Sequence, residues 1–101
     1  MGVVAGTAEL PADRWPDVLS ALSAAGITVD DEGIENGIRC YRCRLNECDL
    51  CLDFGKVESN IPQGVMVYYP EWFLWRRPLD MWRLSRVVWS SVLAAGGRRS
   101  W

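Results

Sequence analysis

Residues 38–56, IRCYRCRLNECDLCLDFGK, decide the fold that the sequence predicts. Apolar and polar side chains alternate over residues 38–45 and again over 48–56, which is the pattern of two strands that each bury one face. The spacing of its four cysteines is symmetric about the bond between Leu45 and Asn46, and a tight turn there would join the two strands. The segment therefore predicts an antiparallel hairpin at the centre of the chain.

The hairpin has a direct consequence for the cysteines. Side chains three residues apart on a regular strand point to opposite faces of the sheet. With the turn centred between Leu45 and Asn46, we expect Cys43 opposite Cys48 on the apolar face and Cys40 opposite Cys51 on the charged face. The apolar face would also carry Tyr41, Leu50, Leu52 and Phe54, and the charged face would set Arg42 against Asp49.

The cysteine spacing is open to a second interpretation. Cys40, Cys43, Cys48 and Cys51 form the pattern C-x2-C-x4-C-x2-C, and four thiolates in two pairs are the ligands of a structural zinc site. The segment lacks the glycine or proline that zinc knuckles place beside their cysteines, and its four-residue spacer is short. We expect no cofactor, with zinc as the alternative. Without metal, the four would be small buried thiols, with the pair on the charged face able to oxidise.

Further elements flank the hairpin on both sides. Residues 3–10 indicate a short strand, and a helix with Asp13 as its cap ends at Gly26. Residues 27–29 begin another strand, which leads into an acidic loop over residues 30–33.

The second half of the chain predicts one more strand and one more helix. Residues 65–69 are β-branched and aromatic, as in a strand. Asp80 is a favourable N-cap for a helix that reaches about Ala95. Within that helix, one arc of apolar residues should face the sheet, namely Met81, Leu84, Val88, Val92 and Ala95.

The order of these elements predicts an α+β fold. We expect an antiparallel sheet of about four strands with two helices packed on one face, because strands grouped in mid-chain favour hairpins. The length of 101 residues suits one domain, over residues 1–97, with residues 98–101 as a loose tail.

Composition excludes several classes of function. The sequence has no histidine, so hydrolases that use a histidine base are excluded. It has no glycine-rich phosphate-binding pattern, and its net charge of −2 argues against nucleic-acid binding. The first ten residues resemble neither a signal peptide nor a membrane span, from which we expect a cytoplasmic protein.

Charge and aromatic content are unevenly distributed. Residues 1–60 hold eleven acids against five bases, whereas residues 61–101 hold two acids against six arginines. Five of the six tryptophans lie in the last thirty residues, among them Trp72 and Trp75. Tryptophan and arginine are enriched at the energetic centres of protein interfaces. Either the segment from Trp72 to Trp75 folds back over Trp82 and Trp89, or these rings face another chain.

The sequence thus predicts a non-catalytic protein that binds another protein. The expected form is a small acidic inhibitor or immunity-type protein that masks a basic site on its partner, with a homodimer through the tryptophan-rich helix as a further possibility. A zinc-stabilised binding module is the alternative. The predicted partner-binding residues are Asp30, Asp31, Glu32, Glu35, Glu47, Asp49, Asp53, Trp72, Trp75, Arg76 and Arg77.

Overall fold

A computed structural model describes residues 2–100, which form a six-stranded antiparallel sheet and three α-helices. The strands are β1 (Gly2–Glu9), β2 (Thr28–Glu35), β3 (Ile38–Leu45), β4 (Cys48–Gly55), β5 (Gly64–Pro70) and β6 (Arg98–Ser100). The helices are α1 (Trp15–Ala24), α2 (Phe73–Arg76) and α3 (Leu79–Ala94). The order across the sheet is β2-β3-β4-β5-β1-β6. The predicted α+β class with an antiparallel sheet is confirmed, although the structure has six strands rather than about four and a third, short helix.

One hydrophobic core lies between α1, α3 and one face of the sheet. The arc of α3 predicted to face the sheet is buried, and Met81, Leu84, Val88 and Val92 are fully inaccessible to solvent. The sheet contributes alternate residues of its central strands to the same core, namely Leu50, Leu52, Phe54, Val65 and Val67. No helix within residues 2–100 has the length and apolar character needed to cross a membrane.

The other side of the central strands carries polar and charged side chains, and we call it the open face. Its residues alternate with those of the core along β2, β3, β4 and β5. They include Asp30, Cys40, Arg42, Arg44, Asp49, Cys51, Asp53 and Tyr68, together with the apolar Met66.

The central hairpin has the predicted faces but a different register. β3 and β4 turn at Asn46 and Glu47, so Leu45 pairs with Cys48 and Cys43 pairs with Leu50. Asn46 has a φ of 57°, a left-handed conformation that asparagine tolerates better than most residues. The predicted pairing of Cys43 with Cys48 was therefore wrong by two residues. Because the shift is even, each side chain stays on its predicted face.

The predicted acidic loop is part of a strand. Residues 30–33 lie within β2, and Glu32 is the extra residue of a bulge between Asp31 and Gly33. Gly33 has a φ of 97°, which favours glycine at this bulge. The acidic segment can pair with β3 as a strand because β3 carries three arginines that form ion pairs with its carboxylates.

The predicted helix caps and the loose tail also differ from the structure. Asp13 lies in a short 3-10 turn before α1, α3 begins at Leu79, and neither helix has a side-chain cap. Residues 98–100 form β6, which pairs with Thr7–Glu9 of β1, while residue 101 lies outside the described residues. Arg99 lies over the ring of Trp89, 3.9 Å from its centroid, and this contact helps to hold β6 in place.

Candidate functional site

A groove of about 610 Å³ lies where the open face meets the segment that follows β5. We call it the tryptophan groove. Its lining includes Arg42, Asp49, Cys51 and Tyr68 from the open face and Glu71, Trp72 and Trp75 from the segment after β5. Arg42 and Asp49 thus lie on one wall, and the two indole rings lie on the other beside Glu71.

Packing of Phe73 positions the two tryptophans. Phe73 is buried between Tyr69 and Trp82, with ring centroids 4.6 Å and 5.0 Å away. The segment therefore folds back over Trp82, which is one part of the arrangement expected from the sequence, whereas Trp89 lies against Arg99 of β6. With Phe73 turned into the core, Trp72 is half-buried and Trp75 remains 67% exposed. The exposed ring is thus carried on a short helix that is anchored beneath it.

A smaller recess adjoins the groove at the β3–β4 turn. Its volume is about 460 Å³, and Glu47, Trp72 and Arg76 are among its lining residues. The guanidinium of Arg76 lies 5.3 Å from the centroid of the Trp72 ring. Asn46 donates a hydrogen bond from Nδ2 to Oδ2 of Asp80 at 2.9 Å, which ties the turn to the start of α3. Glu47 is thereby held close to the aromatic segment.

Most of the predicted acids are already paired with arginines of β3. Arg42 contacts Glu32 at 2.7 Å and Asp49 at 3.2 Å, both measured between nitrogen and oxygen. Arg39 lies 2.6 Å from Asp31, and Arg44 is paired with Asp30. These pairs are exposed, so each contributes at most about 1 kcal/mol to stability. They nevertheless reduce the negative potential that a partner would meet.

The structure brings some of the predicted partner-binding residues together and separates others. Asp49, Trp72 and Trp75 line the tryptophan groove, and Glu47 and Arg76 line the adjoining recess. The remaining predicted residues line neither cavity, namely Asp30, Asp31, Glu32, Glu35, Asp53 and Arg77. The last residue of β2 is Glu35, at the far end of β3 from Glu47.

The four cysteines are divided between the two faces of the sheet. Cys43 and Cys48 are buried on the core face, whereas Cys40 and Cys51 lie on the open face. All four are free thiols. Among residues 2–100, no cluster of three or more His, Cys, Asp or Glu side chains has a metal-binding arrangement. The residues of the zinc alternative are therefore not brought together around one point.

Burial suppresses the reactivity of the thiols. Desolvation raises the pKa of Cys43 to about 12. Burial and the nearby carboxylate of Asp53 raise the pKa of Cys40 to about 12. The pKa of Cys51 is also raised by burial, in spite of the opposing charge of Arg42. These thiols are protonated at neutral pH, which disfavours their use as nucleophiles.

We expect the stability of the fold to decrease above pH 9, and Cys43 is one of the thiols that cause the decrease. The folded state holds the proton of Cys43 more tightly than the unfolded state, whose thiol has its ordinary pKa near 9. This contribution is complete below pH 9 and is lost as the pH rises toward 12, at a rate on the order of 1 kcal/mol per pH unit. Urea unfolding at pH 8, 9, 10 and 11 measures it. Cys43→Ala should show a shallower decrease, and equal slopes for the two proteins would contradict this assignment.

Sequence reasoning missed one side chain that shapes the groove, Tyr68, which was recognised only as part of a strand. Tyr68 reaches the groove because it pairs with Cys51 across β4 and β5. Alternation along residues 65–69 indicates which face Tyr68 occupies, but only the pairing of the strands places it beside Cys51.

Comparison of the chain with protein families, with curated proteins and with solved structures finds no match.

Proposed function

We propose that this protein acts by binding another protein at the tryptophan groove, and that it does so without catalysing a reaction. The exposure of Trp75 carries the proposal. A ring of this size that is 67% exposed contributes little to the fold, although the helix that bears it is firmly anchored through Phe73. Binding a partner would bury the ring at a low cost in conformational entropy, because the helix that bears it is already ordered.

The surroundings of Trp75 support a protein partner. Trp72 and Tyr68 add apolar surface, and Arg42, Asp49 and Glu71 add polar groups. An aromatic centre with a polar rim is the usual composition of a protein interface.

The charge of the sheet supports a partner with a basic surface. Residues 28–55 hold seven acids against three arginines, which leaves a net charge of −4 after every arginine is counted. Such a field accelerates association with a basic partner and weakens as salt is added. A small inhibitor or immunity-type protein that covers a basic site has these properties.

A non-catalytic role agrees with the groups that line the groove. The chain has no histidine to serve as a general base. Asp49 is engaged by Arg42, and the pKa of the Cys51 thiol is raised. These groups are suited to forming contacts rather than to transferring protons.

Affinity capture from the source cell, followed by charge reversal at one end of the hairpin, tests the proposal. Glu47→Lys places a positive charge beside Trp72 and should weaken binding of the captured partner about tenfold at low salt, with a smaller effect at 0.5 M salt. Glu35→Lys makes the same change of charge at the opposite end of β3 and is the matched control. Titration calorimetry of both variants at two salt concentrations measures the effect.

Two results would contradict the proposal. One is the failure of native extracts to yield a stoichiometric protein partner. The other is equal weakening by Glu47→Lys and Glu35→Lys, since this would mean that overall charge, rather than contact at the groove, controls binding.

A further inference from the structure

A second groove, of about 680 Å³, lies on the helical side of the molecule and is separate from the tryptophan groove. We call it the helical groove. It extends along α3 from Leu79 to Ala94 and is bordered by Ala21 and Ala25 of α1. Trp82, Arg83 and Arg86 also line it. None of its lining residues lines the tryptophan groove.

Large apolar side chains are exposed at one end of this groove. Leu79 is 84% exposed and Trp82 is 47% exposed. Trp82 uses one side of its ring against Phe73, at 5.0 Å between centroids, and leaves the remainder open to solvent. Exposed leucine and tryptophan side by side along a groove characterise a surface that a partner covers.

The shape of the groove fits a helix. At a rise of 1.5 Å per residue, the stretch from Leu79 to Ala94 is about 22 Å long, which corresponds to about four helical turns. Small side chains, Ala21 and Ala25 on one side and Ala94 at the far end, allow another backbone to approach closely. A lipid surface is flat and is met by a convex patch, whereas this surface is an elongated depression.

The charge of the groove's lining residues indicates what kind of helix it would bind. Arg83 and Arg86 line the groove, and none of the lining residues that the structure describes is acidic. Arg83 has Asp80 as a neighbour at 3.8 Å and is 69% exposed in its side chain, so it remains available to an anion. A second copy of the chain would fit poorly, because a two-fold antiparallel pairing of α3 helices would bring Arg86 close to its own symmetry mate.

We propose that the helical groove binds an amphipathic helix of a different protein, with apolar residues against Leu79 and Trp82 and carboxylates against Arg83 and Arg86. The protein then presents two surfaces, the tryptophan groove beside the acidic sheet and a basic groove along α3. It can hold two partners at the same time.

Selection from a displayed library of random 16-residue helical peptides tests the proposal on the intact chain. Selected peptides should carry apolar residues at spacings of three and four together with Glu or Asp. The best of them should bind Arg86→Glu at least about tenfold more weakly than the unchanged protein, because reversal of the charge replaces attraction by repulsion. Arg98→Glu, an equal change of charge at an exposed position of β6, should stay within about twofold.

Trp75→Ala should leave peptide binding unchanged, so this test is independent of the proposed function at the tryptophan groove. The proposal is overturned if no acidic amphipathic peptide is selected, or if the selected peptides bind Arg86→Glu and the unchanged protein equally. It is also overturned if vesicles of phosphatidylcholine and phosphatidylserine compete the peptides away. Sedimentation equilibrium that shows a dimer lost in Arg86→Glu would instead assign the groove to a second copy of the chain.

Discussion

Replacing Trp75 with alanine is expected to weaken binding of the protein partner about 30-fold to 1000-fold, which corresponds to about 2–4 kcal/mol. In the free protein the ring is 67% exposed, so its removal leaves the core unchanged. In the complex the same ring would be buried at the centre of the interface, and its loss removes a large apolar contact. The expected result is therefore a large change in affinity with little change in the free energy of unfolding.

The matched control for Trp75→Ala is Ile34→Ala. Ile34 is 61% exposed on β2 and does not line the tryptophan groove, so its truncation removes exposed apolar surface elsewhere. Titration calorimetry gives the affinities, and urea unfolding shows that both variants are folded. An affinity of Trp75→Ala within twofold of the unchanged protein would remove Trp75 from the interface.

Replacing Phe54 with alanine is expected to reduce the free energy of unfolding by about 3–5 kcal/mol. Phe54 is fully buried on β4, and its ring lies 5.3 Å from that of Trp15 and 5.7 Å from that of Tyr41. Its removal leaves a cavity between α1 and the sheet that these two large rings cannot readily fill. Since residues 2–100 bury a single core, a loss of this size is a large part of the stability of a domain this small.

Urea unfolding at pH 7 measures the loss. If Phe54→Ala does not fold, Phe54→Leu, which retains part of the volume, should still lower the midpoint of unfolding. A loss below about 1 kcal/mol for Phe54→Ala would mean that the core packs differently around β4, the strand whose open face carries Asp49 and Cys51 of the tryptophan groove.

The faces of the central hairpin were predictable, but its register was not. Alternation alone assigns Cys43, Leu50 and Phe54 to the core, and the structure agrees. The register depends on which two residues form the turn. The symmetric spacing of the four cysteines suggests a turn centred between Leu45 and Asn46. The ability of Asn46 to take a positive φ moved the turn by one residue and the pairing by two.

Elements that depend on distant partners were not predictable from local sequence. Residues 98–100 have no marked strand pattern and become β6 through pairing with β1 and through the contact of Arg99 with Trp89. The acids of β2 suggest a solvated loop until the arginines of β3 are placed beside them.

In the tryptophan groove, too, the residues were predictable from local sequence, whereas their arrangement depends on distant elements. Trp72, Trp75 and Asp49 were predicted from residue type, since aromatic and charged groups in short segments indicate recognition. Their meeting in one groove depends on the pairing of β4 with β5 and on Phe73, which holds α2 against Tyr69.

The indole N–H resonances of the protein bound to its captured partner test the central claim most directly. We predict that the Nε1–H signal of Trp75 shifts and becomes protected from hydrogen exchange in the complex. The signal of Trp15, whose Nε1–H donates to the backbone oxygen of Leu10 at 3.1 Å, should keep its position. A complex in which the Trp75 signal is unmoved and still exchanges freely would contradict binding at the tryptophan groove.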